Sequence, residues 1–160
     1  MSKFIIRVRG LHSWFVRIVS CLQPVFLLTV RLYWGWQFAT NGWVKLHNLE
    51  RVTNFFTRLN LPHPHATAVF VSSVEYIGGV LLALGLFSRV TGLALSIDMF
   101  MAYFIADRDA LFAFFSDPDK FTGADPYTFF FASLLILVFG PGMFSLDTLF
   151  ARLMSKKQRI

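Results

Sequence analysis

Three ionisable residues, Arg31, Glu75 and Asp98, lie inside segments that are otherwise apolar and long enough to cross a membrane. A charge at the centre of a bilayer costs about 2.5–3.5 kcal/mol even on a lenient insertion scale. Such residues must be paired, hydrated or used. One guanidinium and two carboxylates support two kinds of chemistry. They form a salt bridge that fixes helices, or they line a polar pocket for a ligand or proton. Both readings stay open at this level. With one positive and two negative charges, one acid is expected to carry a proton while Arg31 holds the other.

The remaining candidates are weaker. His63 and His65 flank a proline, with His47 nearby. Histidine is a common metal ligand, but this spacing matches no zinc or copper signature, so loop polarity is the expected role. Asp117, Asp119 and Asp125 form no calcium loop. The single cysteine, Cys21, excludes an intrachain disulfide and a C-x-x-C pair. A buried, inert thiol is expected. No histidine falls inside an expected span, which argues against a haem held by two histidines of this chain. No Walker loop, dinucleotide fingerprint or nucleophile elbow is present. The chain has no self-contained catalytic or cofactor motif, so enzymatic activity of its own is left open.

The elements that must position the three charges follow from hydropathy. Of the 160 residues, 56% are hydrophobic and 15% charged, against roughly 25% charged in an average soluble domain. Four spans are expected: about 24–44, 66–86, 90–106, and one opening near Pro126 and apolar to Phe139. The fold class is therefore all-α, a polytopic membrane four-helix bundle. Residues 1–22 alternate bases with apolar residues and read as an amphipathic arm lying on the membrane surface. Residues 23–150 form the transmembrane domain, and 151–160 a basic tail. A short interfacial helix is expected around Leu49–Leu59. Phe112, Phe114 and Phe115 of the acidic loop 107–125 are expected to dip toward lipid. Gly140-Pro141-Gly142 interrupts the last helix, and 143–150 continue along the interface.

Depth, at about 1.5 Å per residue, brings the charges to similar heights. If the first span opens at Pro24, Arg31 lies about 10 Å, Asp98 about 12 Å and Glu75 about 16 Å from one membrane face. Packing faces agree. Arg31, Gly35, Phe38, Gly42 and Lys45 fall on one helical stripe, and Glu75, Gly78 and Gly79 begin another. Small residues of this kind let membrane helices approach closely. Thr91, Ala94 and Ala102 share the face of Asp98. Convergence of Arg31, Glu75 and Asp98 at one polar locus is the central expectation, with snorkelling of Arg31 toward the membrane face as its variant. Trp34, Trp36, Phe38 and Tyr76 would supply aromatic walls.

The net charge of +6 is no nucleic-acid signal, because the bases flank apolar segments. It fits lipid headgroup contacts and topology. Nine of the fifteen Lys and Arg residues lie in the N-terminal arm, at Arg89 and in the C-terminal tail. Both termini are therefore expected in the cytoplasm.

Arg31-x-x-x-Gly35-x-x-Phe38-x-x-x-Gly42-x-x-Lys45 resembles the opening helix of the DoxX family of small four-helix membrane proteins. Leu61-Pro62, Glu75-x-x-Gly78-Gly79 and Leu84-Gly85-Leu86-x-x-Arg89 agree in order and spacing. So does the closing Gly140-Pro141-Gly142-x-x-Ser145-Leu146-Asp147. The resemblance covers about residues 24–150. It implies a multi-pass protein of a bacterial-type inner membrane, an accessory or subunit of an oxidoreductase. The related DoxD proteins are associated with thiosulfate:quinone oxidation. Residue by residue, it places Arg31, Glu75 and Arg89 in the polar core, whereas Asp98 rests on depth alone. A quinone is the cofactor class this implies, brought by no motif of the chain. The expected partners are lipids, a redox-enzyme subunit and further copies of the chain. Alternatives of another class are a non-enzymatic scaffold or assembly factor, and an accessory of small-solute or metal transport.

Overall fold

A computed structural model describes the backbone of residues 2–157 and the side chains of residues 12–155. Among the described residues every regular element is helical: α1 (Ser2–His47), α2 (Leu49–Arg58), α3 (Pro64–Leu84), α4 (Ser88–Ala106), α5 (Arg108–Phe112), α6 (Pro118–Thr122), α7 (Pro126–Phe139) and α8 (Leu146–Lys157). Three described stretches are long and apolar enough to cross a membrane: His12–His47, Pro64–Leu84 and Ser88–Ala106. At 14 residues, α7 extends about 21 Å, short of a hydrocarbon core of about 30 Å.

The amphipathic arm is not a separate element. It joins the first span in one continuous helix with Pro24 inside. The surface orientation expected for residues 1–11 lies outside the described side chains. From residue 12 to 23 every side chain is exposed. Cys21 lies there and is exposed, contrary to the expected buried thiol. Residues 107–125, read as a loop, contain the short helices α5 and α6. Phe112, Phe114 and Phe115 are exposed.

Packing starts beyond Pro24. α1 lies along α3, α4 along α7, and α3–α4 and α1–α7 contacts complete a ring. The α1–α3 seam depends on glycine. A Cβ at Gly35 would meet the Ala83 nitrogen at 2.7 Å and the Gly79 oxygen at 2.8 Å. A Cβ at Gly42 would run into the backbone of Tyr76. Gly78 faces α4, where its Cβ would meet Leu95 Cδ2 at 2.9 Å. The backbones therefore approach to a distance only glycine permits, as small-residue membrane interfaces do. The core between the helices holds Leu27, Phe38, Leu82, Leu95, Met99 and Ile136. A Ser96 to Ser133 hydroxyl bond of 2.9 Å joins α4 to α7.

Candidate functional site

The seam fixes which residues share a level. Gly35 opposes 79–83 and Gly42 opposes 72–76, so Arg31 stands opposite Gly85 and Lys45 lies one turn beyond the level of Glu75. Ten residues separate Glu75 from Gly85, about 15 Å along the helix. Arg31 and Glu75 therefore do not meet, and the expected three-way convergence is corrected. The depth ruler failed because Pro24 does not open the helix, and because the long side chain of Arg31 turns toward the α3–α4 corner.

At that corner Arg31 is buried, with 1% of its surface exposed. It donates from Nη1 to the Pro141 carbonyl and from Nη2 to the Phe144 carbonyl, both at 2.6 Å. These carbonyls belong to the break after α7, so Arg31 satisfies backbone groups that the interrupted helix leaves open. Gly85, with φ +67°, closes α3 in the left-handed region and packs against the Arg31 guanidinium. Its carbonyl accepts a 3.0 Å bond from Asp147 N–H. The Asp147 carboxylate accepts from the backbone N–H groups of Phe87 and Ser88 at 2.8 Å each, capping the start of α4. Burial pushes the Asp147 carboxyl up, but the hydrogen bonds from Ser88 and Phe87 and the nearby Arg31 charge outweigh it and hold the group below its ordinary value. Ser145 caps α8, its Oγ accepting from Thr148 N–H at 3.1 Å. The Gly-Pro-Gly…Ser-Leu-Asp run is thus a clamp on the α3–α4 turn. Arg89 lies beside it, 3.3 Å from where a Gly140 Cβ would stand.

The acids have a different cation. Lys45 Nζ donates to Glu75 Oε1 in a direct ion pair, with 38% of the lysine side chain and 3% of the glutamate side chain exposed. Asp98 stands close enough to feel the charges of both. Glu75 Oε2 and Asp98 Oδ2 are buried without a hydrogen-bond partner. The cluster is therefore Lys45, Glu75 and Asp98. Lys45 was on the correct stripe in the sequence, fourteen residues past Arg31, but ending the first span at Val44 left it among the bases outside the membrane.

Two cavities meet at this cluster. One, of about 510 Å³, is apolar and lies between α2, α3 and α4; Phe55, Phe56, Phe70 and Met101 wall it, and Lys45, Glu75 and Asp98 line it. The other, of about 660 Å³, is more polar, with Asn41, Thr122, Asp125 and Thr128 in its lining beside Phe38 and Phe129. Lys45, Glu75, Met99 and Ala102 belong to both. The ion pair is thus part of a shared wall. Of the expected aromatic walls, Phe38 alone lines either of these two cavities; Trp36 is 71% exposed, Trp34 packs on Phe129 and Tyr76 on Trp43.

His63 and His65 are exposed at the turn into α3, His63 with φ +49°. His47 bonds the Trp43 carbonyl at 2.9 Å. Among the described residues no group of three or more His, Cys, Asp or Glu side chains is placed to hold a metal ion.

Long apolar helices joined through glycine seams define a helical membrane protein; Arg31, Glu75 and Asp98 are kept off its exposed surface, whereas Arg17 and Arg89 are exposed. The family profile of DoxX matches residues 26–108, about half of the chain, from the start of the packed part of α1 through α4. This chain belongs to the DoxX family. No curated protein and no solved structure matches it.

Proposed function

We propose that this DoxX-family protein is a multi-pass subunit or accessory of a quinone-linked redox system in a bacterial-type inner membrane. The observation that carries this reading is the apolar cavity of about 510 Å³ with Glu75 and Asp98 in its lining. The volume suits a ring headgroup, since small-molecule pockets run from about 300 to 1,000 Å³. The orphaned oxygens Glu75 Oε2 and Asp98 Oδ2 are the polar groups such a ring needs inside an otherwise apolar wall. A bound quinone supplies two-electron, two-proton carriage within the membrane. The chain's own residues supply the rest. Phe55, Phe56 and Phe70 exclude water and hold a flat ring. Asp98 accepts or returns a proton at its free oxygen. Lys45 keeps Glu75 charged and in place. The electron carrier comes from a partner enzyme.

The test is direct. Protein in nanodiscs should bind a short-tailed quinone saturably, read by tryptophan quenching, and Asp98→Asn should weaken binding about tenfold through loss of a charge-assisted contact. A redox enzyme should copurify. Absence of both results would remove the reading. The charge count supports an orientation with both termini in the cytoplasm; a periplasm-active reporter fused to the C-terminus should stay dark.

A second reading, a scaffold without ligand, is favoured by the Arg31–Asp147 clamp, which spends two charged residues on holding helix ends. It predicts that Glu75→Gln lowers protein level and function together. Normal level with lost function supports the cavity.

A further inference from the structure

The Lys45–Glu75–Asp98 cluster holds one ammonium against two carboxylates. Every element around it can be named. α1 contributes Lys45, α3 contributes Glu75 and α4 contributes Asp98. α2 contributes Phe55 and Phe56 to the cavity and no charge. The segment leading into α7 contributes Asp125, another acid, on the vestibule side. No second cation lines either cavity. In a low-dielectric interior the second negative charge requires a proton or another positive group. The side chain of Glu75 is 3% exposed and its Oε2 has no partner, nor has Asp98 Oδ2. Among the described residues none supplies the missing positive charge.

The cavity that receives these oxygens is otherwise apolar and aromatic. Phe55 and Phe70 at its rim are 47% and 68% exposed, so it opens onto the apolar surface of the molecule. Aromatic faces attract cations, more strongly when desolvated.

We propose that this cavity takes up a lipophilic organic cation in exchange for a proton, the cation's charge lying against Asp98 and Glu75. Before exchange, Lys45 is positive, Glu75 negative, and the Asp98 carboxyl carries a proton. On binding, the proton leaves the Asp98 oxygen, passes the shared wall at Lys45 and Glu75, and reaches water through the vestibule lined by Asn41 and Asp125. The cation replaces it, and the cluster's total charge is unchanged. This goes beyond the quinone reading, because the ligand is a cation and its binding involves no electron transfer.

The experiment uses the full chain in nanodiscs and tetraphenylphosphonium as the probe. Calorimetry in two buffers of different ionisation heat should show one proton released per cation bound, and affinity should rise with pH. Triphenylphosphine oxide, similar in shape and uncharged, should bind more weakly and release no proton. Asp98→Asn should weaken the cation at least about tenfold, and Asp98→Glu should restore part of the binding and the proton count. Should Asp98→Asn fail to fold, the wild-type proton count and the neutral probe still decide. Cation binding without proton release, equal binding of the neutral probe, or undiminished binding to folded Asp98→Asn overturns the proposal. A protein that binds the quinone but not the phosphonium rejects the cation and keeps the quinone-linked reading; one that binds neither rejects both.

Discussion

Removing Lys45 and removing Glu75 have unequal consequences, because burial is unequal across the pair, 38% against 3% exposed. Lys45→Met leaves a buried carboxylate next to Asp98 with no cation. Breaking a buried pair costs several kcal/mol, and the partial exposure of Lys45 reduces this to about 1–3 kcal/mol. Glu75→Gln is milder, since Lys45 still has Asp98 nearby and a route to water. The double variant should recover most of the loss. Thermal unfolding in detergent across the four proteins gives the coupling directly, and strict additivity would show that the pair contributes nothing. Asp147 carries a pH prediction. Its folded carboxyl lies below the ordinary value, so its contribution is fully present above the unfolded value of about 3.9 and is lost as pH falls through the lower folded value. Asp147→Asn should lower the melting temperature at neutral pH and flatten its decline in acid. A parallel decline in both proteins would show that the cap carries no charge dependence. At this scale the sequence identified the acids and their packed faces. It misassigned the cation, because side-chain direction and helix register are tertiary facts. Arg31 reaches 2.6 Å from two carbonyls more than a hundred residues along the chain, a contact that hydropathy does not encode.

The helices differ in how closely they approach, and glycine substitutions measure this. At Gly79 a Cβ would stand 2.7 Å from the Gly35 oxygen and meet the Ala39 backbone nitrogen closer still. Backbone has to move. At Gly92 the nearest backbone of α7 lies at 3.0–3.1 Å, so a shift of a few tenths of an ångström suffices. Gly79→Ala should therefore destabilise by about 1–3 kcal/mol or more, and Gly92→Ala by clearly less, judged from melting temperatures at equal expression. Equal effects would mean that α1 and α3 pack no more tightly than α4 and α7. This seam was legible beforehand: Gly35 and Gly42 sit seven residues apart on one stripe, and Gly79 marks its partner, while the adjacent Gly78 faces α4. The end of α3 and both ends of α7 were legible too, because Gly85, Pro126 and Gly140 punctuate them. α5 and α6 were not. Each has five residues, too few to show a period, and α6 depends on a cap from Asp117 to Lys120 N–H at 3.1 Å.

Over the whole molecule, α1 is out of proportion to everything it could be embedded in. Its 46 residues extend about 69 Å, against a hydrocarbon core of about 30 Å. Among the described side chains packing begins only beyond Pro24, and the family match begins at residue 26. Before that point Trp14, Phe15 and Leu22 are each about 60% exposed, and among the described residues no side chain from 12 to 23 is covered. Neither the α1–α3 seam, the Arg31 clamp nor the Lys45 cluster touches this half. Deleting residues 2–22 should therefore leave the melting temperature within about 2 °C, the shift expected for less than about 0.5 kcal/mol. Coupling between Lys45 and Glu75 should also survive the deletion. A helix whose described side chains are exposed from residue 12 to 23, in a segment rich in apolar and basic residues, has two physical uses, lying on an anionic lipid surface or covering itself with another chain. Comparing full-length and deleted protein by vesicle flotation and by mass in nanodiscs separates these, because surface attachment depends on anionic lipid and association does not. A large fall in melting temperature on deletion would instead assign the first half of α1 to the fold itself, and the packed domain would then extend well before residue 24.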